Sequence, residues 1–180
     1  MEQGGILLCV SSFSGNPGES HALLRAAAER YMGHNGDWTI FRQPKGKPTF
    51  QTLPQVHFSI THSGTYWMCS LSDRNIGLDL QIHQPCDREK LSAQFFHPAE
   101  DAFLRQGGYA DFFDLWTAKE SYLKYTGQGI TEGLDYFSVV APDGRFPSMA
   151  EVWLHLMPWT EGYSLCVCAR HPAGVTVVSL

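Results

Sequence analysis

The hydrophobic pattern opens on an unbroken apolar run at residues 6–10, the kind expected of a buried strand. A serine- and glycine-rich loop follows at 11–18, and Ser20 is placed to cap a helix that runs to about Met32 and ends at Gly33. Residues 38–42, 58–61 and 66–71 read as strands. The stretch Ile76-Gly77-Leu78-Asp79-Leu80-Gln81 alternates strictly, so Leu78 and Leu80 point one way and Asp79 and Gln81 the other. A second helix is marked by Pro98 in its first turn, Glu100 and Asp101 near its positive end and Gly107 after it. A third spans about 111–125. Strand-like runs follow at 134–140, 152–156, 163–169 and 175–179, with a Pro142-Asp143-Gly144 turn between the first two. Each half thus begins with a strand, passes through helix and ends in strands, without a residue-level repeat. The pattern predicts one compact α+β unit of two lobes, residues 1–75 and 76–180, divided at the turn-forming stretch from Asp73 to Asn75.

The third helix departs from simple amphipathicity. At about 100° per residue, Phe112, Phe113, Leu115, Trp116, Tyr122 and Leu123 fill one arc, while Asp114, Thr117, Ala118 and Ser121 take the opposite side. Lys119 and Glu120 fall inside the apolar arc, where a charge needs a partner or a ligand, and Lys124 lies at its edge one turn after Glu120. Taken alone, Glu120 and Lys124 form an i,i+4 pair worth only about 0.3–0.5 kcal/mol, a structural feature and no more. Two other elements shift that balance. Asp79 and Gln81 put two oxygen-bearing side chains on one strand face about 7 Å apart, against the plainer reading of a wet outer face. Phe58-Ser59-Ile60-Thr61-His62-Ser63-Gly64 runs a strand into hydroxyls, an imidazole and a glycine, a grouping suited to an anionic ligand where an isolated Thr-His-Ser would be an ordinary turn.

Composition narrows the class. At 180 residues and 43% hydrophobic the chain can bury a full core without disulfides or metals. No stretch approaches the ~18 apolar residues of a membrane span, and residues 1–10 lack the basic start and long apolar run of a signal peptide, so the expected compartment is the cytoplasm. Five cysteines without zinc-site spacing read as buried reduced thiols, Cys166 and Cys168 sharing one strand face. A net charge of −5 argues against nonspecific nucleic-acid binding. A local exception is Arg42, Lys45 and Lys47, stiffened by Pro44 and Pro48, which reads as a phosphate contact ahead of a solvated loop.

In order along the chain, Gly46-Lys47-Pro48, Phe58 to Gly64, Gly77 to Gln81, Phe95-Phe96 with Glu100, and Trp116 to Lys124 followed by Gly127-Gln128-Gly129 resemble the 4′-phosphopantetheinyl transferases of the surfactin-synthetase-activating type. The resemblance runs from about Leu23 to Phe137. It implies a pseudo-dimer of two similar α/β lobes with the active site in the cleft between them, acting as a monomer with no nucleic acid or membrane partner. The implied reaction transfers phosphopantetheine from coenzyme A to a serine of an apo acyl or peptidyl carrier protein with Mg²⁺, releasing adenosine 3′,5′-bisphosphate. On this resemblance Asp79 and Glu120 are metal carboxylates, Glu120 is also the general base, and Lys124 meets the pyrophosphate. Lys47, Thr61 and His62 fall around the nucleotide and its 3′-phosphate, Lys119 is either paired with an acid or a further coenzyme A contact through phosphate, and Arg25 is a candidate for the basic contacts near the amino terminus. Gln81 stands where many members carry a second acid, and its amide oxygen is assigned to the metal, directly or through a metal-bound water, with one negative charge fewer. That neutral residue also keeps open a catalytically weak homologue that binds coenzyme A or a carrier protein as a regulator. A Mg²⁺-dependent pyrophosphatase ranks below both, since no further acid cluster accompanies Asp79. Tyr109, Phe112 and Phe113 are carrier-contact candidates, with a core role as strong for the two phenylalanines.

Overall fold

The computed structural model describes residues 4–41, 46–129 and 133–180. The opening apolar run forms β1 (Ile6–Ser12), and helix α1 (Pro17–Met32) starts earlier than the serine pattern predicts, capped by Asn16 instead of Ser20. Ser20 instead accepts the indole N–H of buried Trp67 at 2.9 Å. The predicted 38–42 strand shrinks to β2 (Ile40–Phe41), paired with β3 (Thr49–Phe50), and Arg42 and Lys45 lie outside the described residues. A hairpin follows, β4 (His57–Ser63) and β5 (Tyr66–Ser72), and Gly64 proves to be part of its two-residue turn. The alternating stretch is β6 (Ile76–Ile82). Helix α2 (Arg88–Phe95), too poor in apolar residues to show a period, precedes α3 (Pro98–Gln106) and α4 (Phe112–Thr126). The chain closes with β7 (Trp153–Leu156), β8 (Tyr163–Ala169) and β9 (Val175–Ser179).

These elements make a mixed α/β fold in layers. One sheet has the order β4-β5-β1-β9 and a second the order β6-β8-β7. Leu7, Cys9, Cys69 and Leu71 pack on Leu24, Ala27 and Ala28 of α1. The other face of the same sheet, through Ile6, Leu8, Val10 and Met68, meets Ile76, Leu78 and Leu80 of β6 and Leu165 and Val167 of β8. Helix α4 covers the far face of the second sheet against Leu154, Cys166 and Cys168. Cys166 and Cys168 are buried as the alternation predicts, but Cys86 is exposed, in the polar run before α2. No helix among the described residues is long and apolar enough to cross a membrane.

Between the sheets, hydroxyls replace a strand. Leu78 N–H donates to Ser59 Oγ at 3.0 Å, Leu80 N–H to Thr61 Oγ1 at 3.2 Å and Ile82 N–H to Ser63 Oγ at 2.9 Å. Each rung joins residues nineteen apart in sequence, so the period-2 pleat of β4 matches that of β6.

The predicted strand at 134–140 is absent. Its apolar residues Leu134, Phe137 and Val139 are buried, but Val139 N–H donates to Glu100 Oε1 at 2.7 Å and the Phe137 carbonyl accepts from Lys119, so these two backbone groups go to side chains instead of a ladder. Nor is the small-residue side of α4 a wet face, because Thr117, Ala118 and Ser121 are fully buried. Gly77 makes this approach possible: a Cβ there would sit 1.9 Å from the Ser121 carbonyl oxygen and 2.7 Å from Tyr125 N. Gly77→Ala is expected to push α4 off β6 and lower stability by about 3 kcal/mol, the upper end for overpacking, read from the midpoint of urea unfolding.

Candidate active site

The carboxylate that β6 projects toward α4 is held from two sides. Lys124 Nζ lies 2.6 Å from Asp79 Oδ1, and Thr61 Oγ1 donates to the same oxygen at 3.1 Å while accepting from Leu80 N–H. Asp79 is 6% exposed, and burial holds its carboxyl above the usual range against the pull of Lys124 and Thr61. Glu120 lies one turn before Lys124 and forms no hydrogen bond or ion pair among the described residues. Burial first, and then the Asp79 charge, raise its carboxyl above the ordinary value, with Lys124 opposing. Lys124 therefore pairs across to the strand and not with its i,i+4 neighbour.

Glu120 and Lys124 line a cavity of ≈ 490 Å³ together with Lys47, Ser59, His62 and Gly127. Gly127, at φ 75°, ends α4 in the left-handed conformation and brings the chain against Lys47; a Cβ there would meet Lys47 Cβ at 3.2 Å and Lys47 N at 3.3 Å. The Lys47 ammonium turns inward to Asn75 Oδ1 at 2.9 Å and to the Ile76 carbonyl, and burial pushes its pKa down to about 8. Asn75 in turn donates to the Tyr125 carbonyl at 2.7 Å, which ties the turn before β6 to the end of α4. His62 is exposed at the cavity wall, its ring centroid 5.1 Å from that of Phe13.

Glu120, two lysines and an imidazole thus line one cleft with Asp79 paired to one of those lysines, and residues 75–171 match the 4′-phosphopantetheinyl transferase superfamily. The chain belongs to that superfamily. It is 34% identical over 166 residues to a 4′-phosphopantetheinyl transferase of Bacillus subtilis, an overlap that covers 83% of this chain and 71% of that relative. To the 4′-phosphopantetheinyl transferase Sfp of Bacillus subtilis strain 168 it is 32% identical over 173 residues, covering 87% of this chain and 76% of the relative. To the 4′-phosphopantetheinyl transferase HetI of Nostoc sp. it is 40% identical over 120 residues, covering 61% and 51%.

Within the transferase, the sequence-predicted residues divide. Glu120, Lys124, Lys47 and His62 come together at the cleft, and Asp79 joins them through its pair with Lys124. Lys119 does not: it is fully buried, with Nζ 2.8 and 2.7 Å from the two Glu100 oxygens and 2.7 Å from the Phe137 carbonyl, and is no coenzyme A contact in this arrangement. Burial pulls its ammonium below the usual range and Glu100 opposes. Thr61 is likewise buried; its hydroxyl serves Asp79 and the backbone rather than a ligand. Gln81 shares the Asp79 face, as alternation predicts, but its amide donates to the Ile82 carbonyl at 3.0 Å and it does not line the cavity. Phe112 and Phe113 are core residues, Tyr109 packs against that core, and Arg25 pairs with Glu29 on the exposed side of α1, away from the cleft. Asn75 was not foreseen; its only sequence signal is a turn-forming residue directly before an alternating strand.

Lys119→Met leaves the Glu100 carboxylate buried without its counterion. A loss of about 3–5 kcal/mol in unfolding free energy is expected, with coenzyme A affinity of the folded protein unchanged. Weakened coenzyme A binding by calorimetry in a stable variant would return Lys119 to the cleft.

Proposed function

We propose that this transferase moves the 4′-phosphopantetheine group of coenzyme A onto a serine hydroxyl of an apo acyl or peptidyl carrier protein. The observation that carries this reading is the meeting, at one cavity, of a Glu120 unpartnered among the described residues with the cations Lys124 and Lys47, beside a buried Asp79. The cavity is lined by Lys47 and His62 from before residue 75 and by Glu120 and Lys124 from after it, which supports two lobes with the site between them. The serine oxygen attacks the phosphorus that carries the pantetheine arm. The bond from that phosphorus to the bridging oxygen breaks, and adenosine 3′,5′-bisphosphate leaves.

Glu120 is suited to take the serine proton, because its carboxyl is held above the ordinary carboxylate range, nearer the operating pH. Lys124 can meet the pyrophosphate and Lys47 the nucleotide phosphates. The donor set also fits a hard divalent cation: two neighbouring carboxylates, the Asp79 charge disfavouring the ionised form of Glu120, with no neutralising partner on Glu120 among the described residues. Asp79 and Glu120 would hold Mg²⁺, with Gln81 close by on the same strand face, and the ion supplies charge neutralisation on the phosphate oxygens. One observation favours a second reading, a coenzyme A or carrier-protein binder of low activity: the neutral Gln81 leaves the site one acid short.

Incubation with apo carrier protein, coenzyme A and Mg²⁺ separates the two. A carrier mass gain of one phosphopantetheine arm is expected, and Glu120→Gln should slow it by at least about 10²-fold. Coenzyme A binding without any mass gain across a panel of apo carriers decides for the binder. The depressed Lys47 adds a pH signature. Its charge is lost as pH rises through about 8, so coenzyme A affinity should weaken across that range, and Lys47→Met should flatten the profile. A pH-independent affinity in the wild type would remove Lys47 from the phosphate site.

A further inference from the structure

Lys124 stands between Asp79 and the cleft. Its side chain lines the cavity and is 31% exposed, whereas that of Asp79 is 9% exposed and takes no part in the lining. Glu120 is open to the same cavity and unpartnered among the described residues. Of the two acids a divalent cation would use, one is accessible and the other already carries an ammonium.

We propose that Lys124 is a resident counterion of Asp79, that it must leave before the metal site exists, and that the pyrophosphate of coenzyme A is what draws it away. The inference rests on the reading of this cleft as a coenzyme A and Mg²⁺ site. A divalent ion on Asp79 Oδ1 would meet an ammonium already 2.6 Å from that oxygen, a repulsion that a half-buried site screens poorly. Asp79 has little freedom to turn away. Thr61 holds the same oxygen, and the backbone N–H groups on either side of residue 79 are bonded to Ser59 and Thr61. Lys124 has that freedom, as a flexible four-carbon stem near the end of α4. A pyrophosphate in the cavity offers its ammonium anionic oxygens in exchange for the one it gives up, so the charge is re-paired and not stranded. Coenzyme A and the metal then tighten each other by one common factor, while metal alone binds weakly.

Calorimetric titration of Mg²⁺ into the protein, with and without saturating coenzyme A and with no carrier protein present, tests this in the wild type, Lys124→Met and Lys124→Arg. Without coenzyme A, Lys124→Met should bind Mg²⁺ about tenfold more tightly than the wild type, the worth of one released charge-assisted contact. The factor by which coenzyme A tightens Mg²⁺ should shrink by a similar amount, and Lys124→Arg, which keeps the charge, should stay near the wild type. Thermal unfolding supplies the control for folding: Mg²⁺ should raise the melting temperature of Lys124→Met more than that of the wild type. Equal or weaker Mg²⁺ binding by Lys124→Met, the same gain in Lys124→Arg, or no larger melting shift overturns the counterion role while coenzyme A binding stands. A wild-type protein that binds no coenzyme A overturns the site reading and this inference together.

Discussion

Three side-chain hydroxyls on β4 do for β6 what a neighbouring strand would do, and the site is arranged around that substitution. On one side β6 pairs with β8 in regular antiparallel register; on the other its N–H groups at Leu78, Leu80 and Ile82 meet Ser59, Thr61 and Ser63. Left unpaired in this interior, each buried donor would cost about 1–3 kcal/mol. Because the acceptors are side chains, the two sheets meet without merging into one. The residue between the first two rungs is Asp79. Its place beneath α4 follows from the pairing of β4 with β6, and the closeness of α4 follows from the missing side chain at Gly77.

Much of this was legible because charges stood out against an apolar pattern. Glu120 and Lys124 were visible as a misfit on α4, and Asp79 as the polar alternate of a strand with an apolar partner face. What the pattern could not resolve was the destination of each lysine. Lys119 and Lys124 both lie in or near the apolar arc, and a helical wheel carries no information about Glu100, nineteen residues upstream on another helix. The same limit explains Thr117, Ala118 and Ser121, which a wheel places only opposite the apolar arc and which are buried where Gly77, on a different element, leaves room for the helix backbone. The Ser59-Thr61-Ser63 alternation was in plain view. It was read as a ligand surface because nothing local distinguishes a hydroxyl facing a substrate from one facing a strand edge. Residues 134–140 were strand-like in composition alone; Val139 N–H and the Phe137 carbonyl are taken by the side chains of Glu100 and Lys119.

Two acid–lysine pairs on α4 show how saturation separates a structural charge from a chemical one. Around Glu100, the carboxylate accepts two bonds from Lys119 and one each from the Val139 and His97 N–H groups, and the remaining reach of Lys119 goes to the Phe137 carbonyl and to the face of its ring at 4.0 Å. Nothing there is left to bind a ligand. Such a pair adds little net stability over well-packed apolar residues, but it fixes α3, α4 and the 134–140 segment relative to one another. Five residues on, Lys124 and Asp79 sit beside a Glu120 that has no counterpart among the described residues, and that carboxylate faces a cavity.

Thr61 carries the most constrained of these contacts. A hydroxyl has one proton to give, and since its oxygen already receives the Leu80 N–H, that proton has to point at the Asp79 carboxylate. The direction of the middle rung is therefore set by the acid beside it. A backbone bond and an active-site carboxylate share one oxygen atom, so the side chain of Asp79 and the register of the strand that carries it are tied through Thr61.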